Sequence, residues 1–244
     1  MIDIHCHLLP AIDDGARCLD QSLALAHHAV ADGITHMVVT PHIHPGVYDN
    51  DKASISRVFE SFRAALTDHR IQLQVAMAGE VRLCPEILPM LEKNHIPLYV
   101  DGAGKKTILL ELPHSHVPPG TEQLLKWLLE HDIGVVIAHP ERNKEIMRNY
   151  HRVESFLDLG CKLQVTAGSV SGRFGEPPHQ AAVYMLKKGW VHVLASDAHH
   201  IKSRPPELSD GLNAAKGYVG AAYANQLVLD APAQITAGMF RSEI

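Results

Sequence analysis

Seven stretches of this chain are short runs of Val, Ile or Leu that close on a polar or turn residue: approximately 2–6, 36–40, 74–79, 107–112, 134–138, 162–166 and 191–196. Apolar runs of this length predict strands buried on both faces, as in a parallel sheet. Between them, apolar residues recur at helical spacing over Leu19–Asp32, Ala53–His69, Pro85–Lys93, Gly120–His131 and Pro178–Lys188. Strand and helix alternate, which implies βαβ units. The tail from Pro205 onward reads as helices packed against the outside. No composition shift or low-complexity linker divides residues 1–244, so one domain is expected.

The polar residues that end the strands narrow the architecture. Met1-Ile-Asp-Ile-His-Cys-His7 finishes the first strand in two histidines one residue apart. Alternate strand residues share a face, so His5 and His7 can reach one metal ion, with Cys6 turned the other way. The theme repeats in Val38-Val-Thr-Pro-His42, Val75-Ala-Met-Ala-Gly-Glu80, Ile108-Leu-Leu-Glu111, Val135-Val-Ile-Ala-His139 and Val193-Leu-Ala-Ser-Asp197-Ala-His199. In an open sheet, with neighbouring strands about 4.8 Å apart, the first and seventh strand ends would stay far from each other. A barrel gathers them at its C-terminal mouth. A distorted (β/α)7 TIM-like barrel is therefore expected ahead of an open doubly wound sheet. The Gly/Pro-rich stretch Gly168–His179 is expected to be a mobile loop over that mouth.

Composition adds one positive signal and several exclusions. With 46% hydrophobic and 20% charged residues the balance is that of a folded globular protein. A formal net charge of -5 disfavours a nucleic-acid binder, which displays a basic surface to phosphate. No apolar run reaches the roughly 20 residues that span a bilayer, and no charged leader with an apolar core precedes the first strand. A cytoplasmic location is expected. The four cysteines, Cys6, Cys18, Cys84 and Cys161, lack CxxC spacing and read as free thiols. Histidine is the excess, with 18 beside 5 phenylalanines and 6 tyrosines, and neutral imidazole is a common metal ligand.

So many carboxylates and imidazoles at buried strand ends are costly unless satisfied, and metal ions satisfy them. A mixed His, Asp and Glu set suits Mn, Fe or Zn. The candidates His5, His7, Asp14, His42, Glu80, Glu111, His139, Asp197 and His199 exceed what one ion uses. Two or three ions are expected, with Glu80 or Glu111 bridging ions roughly 3.5–4 Å apart. Two arginines stand beside the cluster in sequence, Arg142 in His139-Pro-Glu-Arg142-Asn143 and Arg204 shortly after Asp197-Ala-His-His200. Their guanidinium forks match phosphate oxygens, so metals and arginines together point to a phosphate ester.

The series His5-Cys-His7-Leu-Leu-Pro10-Ala-Ile-Asp13-Asp14-Gly15, Thr40-Pro-His42, Gly79-Glu80, Leu110-Glu111, His139-Pro-Glu-Arg142 and Ser196-Asp197-Ala-His199 resembles the PHP (polymerase and histidinol phosphatase) superfamily. More closely, along the whole chain, it resembles the bacterial manganese-dependent tyrosine phosphatases of the CpsB/YwqE type. The longer, Pro-containing spacing to Asp13-Asp14-Gly15 fits that branch. One departure is Asn143, where the pattern leads one to expect an aromatic residue. The resemblance implies a PHP-type barrel and a trinuclear site, most simply of Mn2+, with His5, His7, Asp14, His42, Glu80, Glu111, His139, Asp197 and His199 as ligands. It implies Arg142 and Arg204 as phosphate holders, with His139 and Asp197 also counted as catalytic. It further implies a phosphotyrosine protein as substrate, a bacterial tyrosine autokinase controlling capsule or exopolysaccharide production. Metals of this kind lower the pKa of bound water to about 7, which provides hydroxide for in-line attack on phosphorus.

Other readings are weighed against this one. Conventional tyrosine phosphatases use Cys-x5-Arg, yet the residues six after the four cysteines are Ile12, Ala24, Met90 and Ala167. P-loop and Rossmann glycine patterns are also missing. A small-molecule phosphatase such as histidinol phosphatase, a PHP nuclease and a non-catalytic phosphoprotein-binding metal barrel are the alternatives. An amidohydrolase would place a lysine where Glu111 stands and a histidine on the sixth strand, where Leu163-Gln-Val-Thr-Ala167 has none. His27, His28, His69, His95, His131, His151, His179 and His192 are read as solvated or packing residues, and His44 and His200 as rim residues. Tyr48 and Phe174 are loop aromatics able to wall a phenyl ring, and Asp13 is a turn former.

Overall fold

The computed structural model describes residues 1–240. Its strands are β1 (Ile2–Cys6), β2 (His36–Val39), β3 (His42–Ile43), β4 (Gln74–Met77), β5 (Glu80–Arg82), β6 (Tyr99–Val100), β7 (Lys106–Glu111), β8 (Ile133–Ala138), β9 (Lys162–Thr166) and β10 (Val193–Ala195). The helices are α1 (Leu19–Ala31), α2 (Lys52–Asp68), α3 (Ile87–Glu92), α4 (Thr121–Glu130), α5 (Lys144–Arg148), α6 (Glu154–Asp158), α7 (Ala167–Val170), α8 (Glu176–Lys187), α9 (Ser209–Val219), α10 (Ala221–Gln226) and α11 (Asp230–Thr236). Every strand pairing is parallel except β6 with β7.

These strands form the expected seven staves. β2 and β3 are halves of one stave, broken at Thr40-Pro41, where proline cannot donate to the ladder. β4 and β5 are broken alongside at Ala78-Gly79, and the register carries across, with Ala78 N donating to Val39 O and Glu80 N to Pro41 O. The remaining order runs β5-β7-β8-β9-β10. The ring then returns to β1: Asp197 N donates to His5 O at 2.8 Å, and His7 N to Ala198 O at 2.7 Å. The result is an α/β TIM-like barrel.

Its distortion lies at the opposite end. There β1 and β10 part, and the Leu227–Val228 segment fills the seam, with Ile2 N donating to Val228 O and Leu194 N to Leu227 O. A second seam opens where β6 takes the lower half of β7, whose upper half belongs to β5. Ile235 of α11 joins Ile4, Val38, Tyr99, Leu109, Val136 and Val193 in the barrel interior. The tail beyond Pro205 is therefore not only an outer layer, as its helical pattern suggested, but also the floor. A second, larger apolar cluster lies between staves and helices, and it includes Met37, Val39, Phe62, Leu125, Phe156, Leu163, Val165 and Met185.

Two further expectations change. The stretch Gly168–His179 is mostly helical: it spans the end of α7, a short turn and the start of α8. The short helices α5 and α6 were not foreseen, being too brief to show a period. The five helices with expected bounds, α1, α2, α3, α4 and α8, appear within two residues of them.

Candidate metal and phosphate site

The mouth is built by the last residues of the staves and the turns just beyond them. A register shift in β1 between Asp3 and Cys6 resets the strand's alternation. Ile4 consequently packs in the barrel interior and Cys6 in the outer cluster, while His5 and His7 both turn into the mouth, fully buried. The turn after His7 comes back under it, and a Cβ on Gly15 would lie 2.1 Å from His7 O, so only glycine fits there. His139 directly follows β8 and Asp197 lies two residues beyond the end of β10, and they adopt φ of +31° and +51°. Non-glycine residues there carry about 1–3 kcal/mol of strain each, which clusters at functional sites.

All nine expected ligands meet. Donor atoms lie within 4.8 Å of one another in four overlapping groups: His7, Asp14, His42 and His199; His5, His7 and Glu80; His5, His139 and Asp197; and His42, Glu80 and Glu111. Glu80 sits at the centre, with Oε1 2.8 Å from His139 Nε2 and Oε2 2.8 Å from His42 Nδ1. Asp14 is the most open member and lies 3.3 Å from both His42 Nε2 and His199 Nε2. Glu111 pairs with Arg82 at 2.9 Å.

The arrangement could hold cations. His7 Nδ1 is 2.7 Å from Asp13 Oδ2, and His5 Nδ1 is 2.8 Å from the Gln164 amide oxygen. The two Nε2 atoms then face each other across 3.3 Å. Asp197 Oδ1 and His199 Nε2 are buried without any hydrogen bond. Buried polar atoms left unmatched are costly, and cations in the overlapping donor groups would match all four.

Charge follows the same logic. Burial resists ionisation of Glu80, but His5 and His42 hold its carboxyl well below the usual range. Burial likewise opposes charge on Asp197, and Arg204, His5 and Arg142 overcome it. For His42, burial is outweighed by Glu80, which lifts its pKa to about 10. Burial and the neighbouring His7 push His199 down to about 4.

Arg142 and Arg204 are at the cluster and not in surface pairs. Both donate to the same oxygen, Asp197 Oδ2. The turn from His200 to Arg204 is closed by backbone bonds in both directions, so His200 folds Arg204 back to the mouth and itself stays exposed. Phe174 lies under the Arg142 guanidinium at 5.4 Å, a cation–π distance. Tyr48 stacks on His42 at 5.4 Å, held by the backbone turn from His44. The Asn143 amide is engaged by backbone groups. It caps α5 by accepting from Glu145 N and Ile146 N, and donates to Pro113 O and His116 O. A flat aromatic ring could not replace these bonds. The remaining histidines fall outside the four donor groups; His28 pairs with Glu207, His131 stacks on Trp127, and His192 accepts from Leu163 N.

Four partners of the site were missed or undervalued. Asp13 builds the turn through Gly15 N as expected, and it also anchors His7 and the His42 backbone. Buried Asp3 accepts from His5 N, Ser196 N and Ser196 Oγ, tying β1 to the Asp197 turn. Gln164 and Arg82 are the others. Their only signal was a polar residue within or just after an apolar strand.

Residues 1–237 match the family described as capsular polysaccharide synthesis, CpsB/CapC. The chain is 38% identical over 204 residues to the tyrosine-protein phosphatase YwqE of Bacillus subtilis, covering 84% of this chain and 79% of the relative. It is 31% identical over 240 residues to the tyrosine-protein phosphatase CpsB of Streptococcus pneumoniae, covering 96% and 98%. A solved structure from a study of YwqE and CpsB, described as unique metal-dependent tyrosine phosphatases, superposes with a TM-score of 0.89 at 34% identity, over 96% of this chain and 94% of that one. Fold and sequence similarity agree, and the chain belongs to the CpsB/CapC family of capsular polysaccharide synthesis proteins.

Proposed function

We propose that this protein is a metal-dependent protein-tyrosine phosphatase that hydrolyses phosphotyrosine on a bacterial tyrosine autokinase controlling capsule or exopolysaccharide synthesis. The observation that carries the reading is the convergence of nine donors in four overlapping groups beside two arginines that share one carboxylate oxygen. His5, His7, Asp14, His42, Glu80, Glu111, His139, Asp197 and His199 would hold two or three ions, and this oxygen- and nitrogen-rich set suits Mn2+. When bound, such ions supply Lewis-acid charge and lower the pKa of water to about 7.

The chain's own residues do the rest. Arg142 and Arg204 present paired donors to the phosphoryl oxygens and stabilise charge that develops there. Asp197 keeps both guanidinium groups aimed at the mouth until substrate competes for them. Phe174 backs Arg142, and Tyr48 offers a flat wall beside His42. A tyrosine leaving group, with a phenol pKa of about 10, departs with less protonation than an alkoxide requires. No helix among the described residues is long and apolar enough to cross a membrane. The four cysteines are free thiols, as suits the cytoplasm. The reading treats residues 1–244 as one catalytic domain.

The test is phosphate release by manganese-loaded protein from a phosphotyrosine peptide, histidinol phosphate and a short DNA. The phosphopeptide is expected to give the highest kcat/KM by at least tenfold. No release from it would end the reading, and preference for histidinol phosphate would replace it with a small-molecule phosphatase.

A further inference from the structure

Gln164 is a fully buried amide on β9 that touches the ring of a candidate ligand. It lies on β9 opposite Ala138 of β8 and Val193 of β10, both members of the interior apolar cluster. Its neighbours Leu163 and Val165 face the outer cluster. Apolar packing alone would place a Val or Leu here, as on the flanking staves. The chain instead keeps a fully buried amide whose Oε1 is 2.8 Å from His5 Nδ1 and whose Nε2 has no partner.

That half-satisfied amide has one clear use. An amide oxygen only accepts, so the His5 ring must carry its proton on Nδ1, and Nε2 is left with a lone pair. Nε2 is the atom 3.3 Å from His7 Nε2 and 3.3 Å from Asp197 Oδ1. The opposite amide orientation would aim an N–H at Nδ1 and place the His5 proton on Nε2, inside the donor cluster. His7 is held in the matching state by Asp13. We infer that Gln164 is a positioning residue that fixes the tautomer and ring plane of His5, so that His5 and His7 offer their Nε2 lone pairs to the same cation. The inference rests on the metal-site reading above. A glutamine stands on the sixth stave where an amidohydrolase would carry a histidine, and here that stave orients a ligand in place of supplying one.

Partners of this kind change metal affinity or activity by about 10–100-fold when removed. Gln164→Met keeps the volume and removes the acceptor; Gln164→Glu keeps an acceptor at the same place. Equilibrium dialysis with Mn2+ is expected to show at least tenfold weaker binding for Gln164→Met and binding within about threefold of the parent for Gln164→Glu. Imidazole 15N spectra of the metal-free protein give a second readout, independent of turnover. The parent and Gln164→Glu should show His5 protonated at Nδ1, and Gln164→Met a mixture of tautomers. Unchanged Mn2+ affinity and an unchanged His5 tautomer in Gln164→Met would overturn the inference. Should Gln164→Met not fold, loss of the Nδ1-protonated state in Gln164→Glu, or its absence in the parent, would do so. A parent that binds Mn2+ but releases no phosphate would sink the phosphatase reading and leave the role of Gln164 standing.

Discussion

The two ends of the barrel are made from the same seven staves and differ in almost everything else. At the mouth the backbone ring closes by direct hydrogen bonds from Asp197 to His5 and from His7 to Ala198. The interior there is carboxylate, imidazole and guanidinium, with unmatched buried atoms. At the floor the ring is open at two seams, which β6 and the Leu227–Val228 segment fill. The interior there is Ile4, Tyr99, Leu109, Val136 and Ile235, and the one polar atom of Tyr99 is satisfied by Ile4 O. The difference separates two tasks. Apolar burial at the floor supplies folding free energy with loose demands on topology. Donors at the mouth must meet within tenths of an ångström, so that end carries the strict ring and tolerates positive φ at His139 and Asp197.

The sharpest way to break this division is Glu80→Gln. The change keeps the shape of the side chain that approaches His5, His7, His42 and His139, but halves its capacity to bind cations. Metal ions contribute several kcal/mol of transition-state stabilisation, so kcat/KM should fall by about 10²–10³-fold or more. The metal-free protein should still fold, with a denaturation midpoint lowered by roughly several degrees, because the neutral amide no longer compensates the His5 and His42 charges it faces. Phosphate-release assays and thermal melts of the metal-free protein check both halves. A melt that collapsed along with activity would show that Glu80 also holds the fold together.

Leu109→Ala is the mirror experiment at the floor. Leu109 is 1% exposed in the inner cluster, and truncations of this kind cost about 2–5 kcal/mol. For a chain of this size that is a fall in melting temperature of roughly 5–15 °C. Below the transition, kcat and Mn2+ affinity should stay within about twofold of the parent, since Leu109 supplies no donor, although it stands opposite Glu80 in the β5–β7 register. A large loss of Mn2+ affinity without a change in melting temperature would mean that the floor shapes the mouth.

The same division explains which parts of the molecule could be read from the chain. The staves were visible because each is an apolar run, and the ligands because each run ends in His, Glu or Asp. Gathering those ends required closure, and so the barrel followed. The floor was hidden: β6 is the two residues Tyr99–Val100, too short to stand out, and Leu227–Val228 gained a role only once β1 and β10 parted. At the mouth, Asp13 resembled an ordinary turn former, and its hold on His7 depends on how the turn folds back over Gly15. Arg82 reaches Glu111 because the β5 and β7 register places them opposite each other. Gln164 shows in the chain only as a polar residue inside the apolar run of β9. Asn143 was noted as a departure from the resemblance, and only its four bonds around α5 show that it is a cap.

Cys6 provides the smallest expected effect and the cleanest boundary between the two chemistries. It lies between two mouth residues in sequence, yet the alternation of β1 after its register shift sends its side chain into the outer apolar cluster, with Sγ 3.5 Å from Val38 O. Burial drives the thiol pKa well above its ordinary value, and nearby Asp3 adds to the effect. A thiolate is the nucleophile in cysteine chemistry, and this thiol is neither ionised nor exposed. Cys6→Ala should therefore leave kcat/KM on a phosphotyrosine peptide within about twofold. It should cost on the order of 1 kcal/mol of stability, the loss of one small buried group. Iodoacetamide under native conditions should likewise leave activity intact while alkylating exposed Cys18. A large loss of activity in Cys6→Ala with unchanged Mn2+ binding would put a covalent step back at the first strand. Retained activity would show that His5 and His7 serve the mouth while the residue between them serves only the packing around it.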